Sequence, residues 1–354
     1  HDDVALRFRE WNPGGVVQSV EALERRMREI TIGAAQLGPI ARDEPRSHVV
    51  ERLIDLLRRA SYVNCDVVVF PELAFTTFFP RWYTAEVEGH DHFFETRMPG
   101  PETQPLFDEA KRLGIGFAIG YAELTEPDAD GKVHRYNTTI LVERDGSIVG
   151  RYRKVHIPGH DTDEPWRLFQ HLERRYFEES NDGFPVFNGF GGIVGMATCN
   201  DRRWPETYRE MGLQGVELIM IGYNTPIHYA PDPGQNELQG FHNHLCMQAG
   251  AYQNGTWVVG VAKGGTEEGV ESLAQSCIIA PSGQIKAMAV TTGDELVSTV
   301  ADLDWCAKYK ETLFDFSTYR RPEMYQRIGT QKGVIKPAPL LGKAPPPLQG
   351  DSND

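Results

Sequence analysis

Short apolar runs alternate along this chain with stretches whose apolar residues recur every three or four positions, and the alternation occurs twice. ITIGAAQLG (30–38), CDVVVFPE (65–72), GGIVGMATC (191–199), VELIMIGYN (216–224) and TWVVGVAKGG (256–265) are too uniformly apolar to have one wet face. They read as strands buried on both sides. Between them, PRSHVVERLIDLLRRA (45–60) places Val49, Leu53, Leu56, Leu57 and Ala60 on one helical face. TQPLFDEAKRLG (103–114) is a second helix closed by Gly114. PETYREMGLQG (205–215) and ELQGFHNHLCMQAGAYQN (237–254) repeat the pattern, the first with Pro205 in its opening turn and Gly215 at its end.

IGFAIGYAEL (115–124) and RYNTTILVER (135–144) add strands. ERDGSIVGRYRKVHI (143–157) is a hairpin turning at Asp145-Gly146, SCIIAPSGQIKAMAV (276–290) is another, and LVSTVADLD (296–304) is the last strand. The order is β-α-β-α-β-β, then β-α-β-α-β-β-β. That is an α/β chain whose two similar halves suggest two mixed sheets packed face to face with helices outside. Residues 158–183 read as a long polar loop. Residues 17–29 form a short amphipathic helix, with Val17, Val20, Leu23 and Met27 as an apolar stripe expected to lie against another part of the assembly. The expected organisation is an N-terminal extension (1–29), one domain (30–328) and a Pro-rich tail (329–354).

Composition narrows the function classes. A net charge of -14 makes nucleic acid an unfavourable partner. No apolar run reaches the ~18 residues a bilayer requires, so no membrane partner is expected. The five cysteines are scattered without a CxxC pair, and the opening HDDVALRFREWNPGG lacks the apolar core of a secretory signal. A reducing cytoplasm is the expected setting.

Three residues at predicted strand ends carry the chemistry. Cys199 closes an apolar run and is followed by Asn200, Asp201, Arg202 and Arg203. A free cysteine is ordinarily a small buried hydrophobe. Here it stands at the carboxyl edge of a sheet, where open α/β folds bind ligands, and cations beside it favour the thiolate. A thiol nucleophile needs a base. None of the 11 histidines stands in a recognisable cysteine-protease context. Glu72, set among Phe70, Phe75, Phe78 and Phe79, is the carboxylate alternative to a solvated loop acid, its proton affinity raised by apolar crowding. Lys154 ends a third strand and, if not a surface lysine, could stabilise an oxyanion. One sheet edge could bring all three together.

With this Glu-Lys-Cys set, FPELAFTTFFPRW (70–82), RYRKVHIPGH (151–160) and CNDRRWPET (199–207) resemble the nitrilase, or carbon–nitrogen hydrolase, superfamily. FQHLERRYFE, GYNTP, MQAGAYQNG and SCIIAPSGQI are similar to its N-carbamoyl-D-amino acid amidohydrolase branch. The resemblance spans about residues 30–328. It implies a four-layer α-β-β-α sandwich, without metal or cofactor, in a homodimer or homotetramer. It implies Cys199 as nucleophile, Glu72 as general base, Lys154 as oxyanion stabiliser and Glu173 as a second acid near the lysine. Asn200, Arg202, Arg203 and Thr225 would line the substrate site, with His156 and His171 holding its polar network.

The charge behind Cys199 then has a reason: an arginine fork suits a substrate carboxylate beside the scissile carbamoyl group. The expected reaction is hydrolysis of N-carbamoyl-D-amino acids to the amino acid, ammonia and carbon dioxide. Another carboxylate-bearing amide or a β-ureido acid is the alternative. One arginine is expected to read the carboxylate and the other to act through folding. A metal hydrolase is disfavoured. His156 and His160 are separated by Pro158-Gly159, so they are no helical ligand pair, and His242 and His244 would diverge on a helix.

Overall fold

A computed structural model describes residues 28–337. The expected helix over 17–29, apart from its last two residues, and most of the Pro-rich tail therefore lie outside the described residues; Glu29 is already in a strand. Residues 28–314 belong to one compact unit, and residues 315–337 to a second. The second unit contains two short helices, Phe316–Tyr319 and Gln326–Thr330.

The first half of the larger unit runs β1 (Glu29–Gln36), α1 (Arg46–Tyr62), β2 (Val67–Val69), α2 (Gln104–Leu113), β3 (Gly116–Leu124), β4 (Arg135–Val142) and β5 (Ile148–Arg153). After the helical turn α3 (Glu173–Tyr176) the second half runs β6 (Val186–Gly189), β7 (Gly192–Thr198), α4 (Pro205–Leu213), β8 (Leu218–Tyr223), α5 (Gln239–Asn254) and β9 (Trp257–Ala262). A small hairpin, β10 (Gly264–Glu267) and β11 (Val270–Leu273), precedes β12 (Cys277–Ile279), β13 (Ile285–Met288) and β14 (Glu295–Asp302). The helix α6 (Trp305–Lys310) closes the unit.

Two six-stranded sheets result, with orders β14-β1-β2-β3-β4-β5 and β13-β12-β9-β8-β7-β6. β1, β2 and β3 are parallel, as are β7, β8 and β9, and the outer pairs are antiparallel. The last strand, β14, leaves the second half and pairs with β1 of the first, Gly33 opposite Ser298.

The period of two along each strand divides its side chains between two cores. Val67 and Val69 of β2 point between the sheets, with Leu218 and Met220 of β8 in the same cluster, while Val68 points outward beneath α1 and α2. Leu53, Leu56 and Leu57 of α1 and Leu106 and Phe107 of α2 cover that outer face. Tyr208 and Met211 of α4 and Met247 and Ala251 of α5 cover Ile219 and Ile221 of the other sheet. The layers are helix, sheet, sheet, helix, as the alternation implied. The structure adds β6 and the β10–β11 hairpin, which the sequence reading lacks, and places a helical turn inside the expected polar loop at 158–183.

Candidate active site

Glu72, Lys154 and Glu173 are 0 % exposed and Cys199 is 3 % exposed. Each stands at a secondary-structure boundary: Glu72 after β2, Lys154 after β5, Cys199 after β7, and Glu173 at the first position of α3. The interior between the sheets brings them together. Lys154 Nζ donates to Glu72 Oε1 at 2.8 Å and to Glu173 Oε2 at 2.5 Å. One ligand atom each from Glu72, Glu173 and Cys199 lie within 4.8 Å of one another. That trio is the set of donors among the described residues that could hold a metal ion, and the Lys154 ammonium already sits between its two carboxylates.

Glu72 is held from several directions. Its Oε1 also accepts Asn137 Nδ2 at 2.7 Å, and its Oε2 accepts the backbone N–H of Asn224 at 2.9 Å. Asn224 Nδ2 donates to the Glu72 carbonyl at 2.7 Å. Two glycines create the room. A Cβ on Gly120 of β3 would stand 2.7 Å from Glu72 Cα, and one on Gly222 of β8 would stand 2.5 Å from Glu72 N. The backbone at Glu72 is therefore wedged between the two sheets. Glu173 Oε1 is paired with His171 Nε2 at 2.8 Å, and the His171 ring meets Phe78 edge-on at 5.7 Å.

Burial works to lower the proton affinity of Lys154, but Glu173 and Glu72 together outweigh it and hold the ammonium above its usual value. Burial works against the Glu173 carboxylate too, but Lys154 and His171 hold it below the usual range. Burial, reinforced by Glu72, pushes the Cys199 thiol up and outweighs Lys154 and Arg202. Desolvation thus outweighs the cations that favour the thiolate.

Cys199 has φ 48°, a left-handed conformation unusual for a non-glycine residue. It opens a five-residue 3-10 turn, Cys199–Arg203, whose entry is a capping box between Thr198 and Asp201. Beyond the thiol opens a cavity of about 310 Å³. Cys199, Asn224, Thr225 and His171 line it, together with Arg203, Arg167, His160, Phe169, His228 and Tyr229. No aspartate or glutamate among the described residues lines it.

The expected substrate residues divide. Arg203 is exposed and lines this cavity, as do Thr225 and His171. Arg202 does not. It is 0 % exposed, its Nε donating to Asn243 Oδ1 at 2.7 Å, Nη1 to the Cys199 carbonyl at 2.6 Å and Nη2 to Thr225 Oγ1 at 2.8 Å. Its guanidinium also lies 4.2 Å from the Tyr223 ring. Each of its three nitrogens is engaged by a protein group, which corrects its expected place on the cavity wall. Asn200 and His156 are also off that wall: Asn200 Nδ2 donates to the His156 carbonyl at 3.3 Å, and His156 Nδ1 pairs with Asp201 Oδ1 at 2.8 Å. Sequence reasoning missed Asn137, Asn224, Gly120, Gly222 and Arg167. The amides lie in ordinary strand context, and only the fold shows what they meet.

Buried together between the sheets of this α/β sandwich, a thiol, a lysine and two glutamates form a site of the kind hydrolases use. Residues 31–311 match the carbon–nitrogen hydrolase family, and the chain belongs to it. It is 28% identical over 326 residues to the N-carbamoylputrescine amidase of Arabidopsis thaliana, covering 88% of this chain and 99% of that protein. It is 29% identical to a nitrilase of Pyrococcus abyssi, over 77% of this chain and 90% of the relative. The structure of a carbon-nitrogen hydrolase from Helicobacter pylori superimposes with a TM-score of 0.72 at 20% identity, covering 86% of this chain and 99% of that one. An amidase from Nesterenkonia sp. AN1, solved with the acetamide moiety of fluoroacetamide added to its active-site cysteine, gives a TM-score of 0.64 at 19% identity, over 85% and 97% of the two chains. The protein is a hydrolase of carbon–nitrogen bonds.

Proposed function

We propose that this hydrolase acts on N-carbamoyl amino acids, of D configuration as the motif resemblance implies, releasing the amino acid, ammonia and carbon dioxide. The observation that carries the carboxylate is the wall of the cavity. Arg203 and Arg167 line the space beside Cys199, Arg167 with its Nε paired to Glu164, and no acidic side chain among the described residues lines that space. Relatives named for N-carbamoylputrescine share the carbamoyl group, but that substrate ends in an amine. A cation there would meet the Arg203 guanidinium, which has no carboxylate partner among the ion pairs of the described residues, whereas an α-carboxylate would be drawn to it.

Chemistry in this reading is acyl transfer through Cys199. Glu72 takes the thiol proton as the sulfur attacks the ureido carbon. Lys154 spends two N–H groups on Glu72 and Glu173 and has a third for the developing oxyanion. Glu72 delivers its proton to the departing nitrogen, then activates the water that releases the thiocarbamate carbon. Glu173 and Asn137 keep Lys154 and Glu72 in place.

Copies of the chain would associate, in this reading, to cover apolar side chains left exposed on α5, where Phe241 is 60% and Leu245 50% exposed. A substrate panel tests the proposal: N-carbamoyl-D-, N-carbamoyl-L- and β-ureido acids, N-carbamoylputrescine, simple amides and nitriles. The highest kcat/KM is expected for N-carbamoyl-D-amino acids. A preference for N-carbamoylputrescine or for uncharged amides would overturn it.

A further inference from the structure

Asp201 stands two residues beyond the nucleophile, is 0 % exposed, and does not line the cavity. Its carboxylate accepts four hydrogen bonds. Oδ1 takes the backbone N–H of His156 at 3.0 Å and pairs with His156 Nδ1 at 2.8 Å. Oδ2 takes the Tyr152 hydroxyl at 2.7 Å and the backbone N–H of Thr198 at 3.0 Å. An ionised carboxylate has about four lone-pair sites, so its capacity is filled.

The partners matter more than their number. Tyr152 and His156 flank Lys154 by two residues on either side, while Thr198 and Asp201 themselves bracket Cys199. One buried carboxylate therefore ties both sides of the lysine segment to both sides of the nucleophile turn, across the gap between the two sheets. The Thr198 hydroxyl adds a second tie to the first sheet, 2.9 Å from Thr139 Oγ1. Cys199 keeps its positive φ inside this box.

We infer that Asp201 is a positioning residue, a clamp that sets the separation between the Cys199 sulfur and the Lys154 ammonium needed to stabilise the oxyanion. The inference rests on Cys199 being the nucleophile and Lys154 the oxyanion donor. Asp201 itself touches no reacting atom. Its carboxylate is irreplaceable by an amide, because Asn would turn two donors of its own toward groups that also donate.

The experiment compares Asp201→Asn with Asp294→Asn, which removes a carboxylate bonded to Arg52 and the backbone of Gly38 rather than to these groups. Steady-state kinetics are measured on the best substrate of the panel, together with the rate at which iodoacetamide alkylates the Cys199 peptide, followed by mass spectrometry. Alkylation displaces iodide and builds no oxyanion, so it reports the thiol without the lysine's role as oxyanion donor. Asp201→Asn is expected to lower kcat about 10- to 100-fold, the effect of a displacement of about 1 Å in a catalytic group. KM and the alkylation rate should stay within about threefold, and Asp294→Asn should keep its kcat.

An unchanged kcat overturns the clamp. So does a joint loss of kcat, KM and alkylation rate, which would mark general loosening. If Asp201→Asn does not fold, Tyr152→Phe removes one of the four donors and should lower kcat alone by a smaller factor; no effect there overturns the inference as well. Turnover that survives full alkylation of wild-type Cys199 would instead break the nucleophile assignment.

Discussion

Arg202 and Arg203 are neighbours in the chain, yet the first is buried and the second exposed. Arg202 is sealed behind Cys199, bonded to Asn243, Thr225 and the Cys199 carbonyl, while Arg203 is exposed along the cavity that Cys199 opens into. We propose that the two roles expected of the pair divide the same way. Arg203→Ala should lower kcat/KM on carboxylate-bearing substrates about 10- to 100-fold and change little on carboxylate-free ureas. Arg203→Lys should recover only part of the loss, since an ammonium lacks the planar fork. Arg202→Ala should act on every substrate alike and cost about 3 kcal/mol of stability, because it leaves buried acceptors unpaired. Kinetics on both substrate types, with urea unfolding of each variant, decide the assignment.

Replacing Cys199 by Ala should abolish turnover and keep the fold, whereas Cys246→Ala should stay active. Cys246 is half-buried on α5, and its thiol donates to the Asn243 carbonyl at 3.2 Å. Turnover in the Cys199 variant would refute covalent catalysis.

Glu72→Gln and Lys154→Ala should each reduce kcat by about two to four orders of magnitude, the scale of general acid–base and oxyanion groups. A loss confined to KM in either variant would remove that residue from the chemistry.

Gly222→Ala probes the wedge at Glu72. The added methyl would sit 2.5 Å from Glu72 N and 2.6 Å from the Pro71 carbonyl carbon, both backbone atoms that no rotamer change can clear. The variant should lose about 1–3 kcal/mol from overpacking and, with Glu72 displaced, at least about tenfold in kcat. Wild-type kcat in a folded Gly222→Ala protein would show that Glu72 tolerates the shift.

The buried charges also predict a pH window. Glu173 is held below its usual 4.5 in the folded protein, so its contribution to stability is present above 4.5 and lost as pH falls toward the folded value. Lys154 is raised above its usual 10.5, so its contribution is present below 10.5 and lost as pH rises through the folded value. Between those limits this pair should add a constant term. Thermal unfolding from pH 3 to 7 should show a steeper acid decline in wild type than in Glu173→Gln; equal slopes would mean that Glu173 is not depressed.

Much of this architecture was legible before any coordinates. β1, α1, α2, β8 and β9 sit where the apolar periodicities put them, since strands buried on both faces and helices buried on one leave distinct patterns. Glu72, Lys154 and Cys199 were legible as chemistry because each sets a reactive group at a strand end. Gly114 ends α2 with φ 68°, as its place after the last periodic residue implies.

Other features belong to no local window. β14 pairs with β1 across nearly the whole chain, and a strand's partner is a property of the packed sheet. Asn137 and Asn224 became parts of the site only when two sheets closed on Glu72, and Gly120 and Gly222 only when its backbone had to pass between them. A division between Arg202 and Arg203 was expected, but which of the two is buried was equally invisible, because adjacent residues in a turn diverge according to local backbone angles. Periodicity records which faces must leave water, and it does so residue by residue. The identity of the group each face then meets is set by contacts between segments far apart in the chain, and those exist only once the sheets have packed.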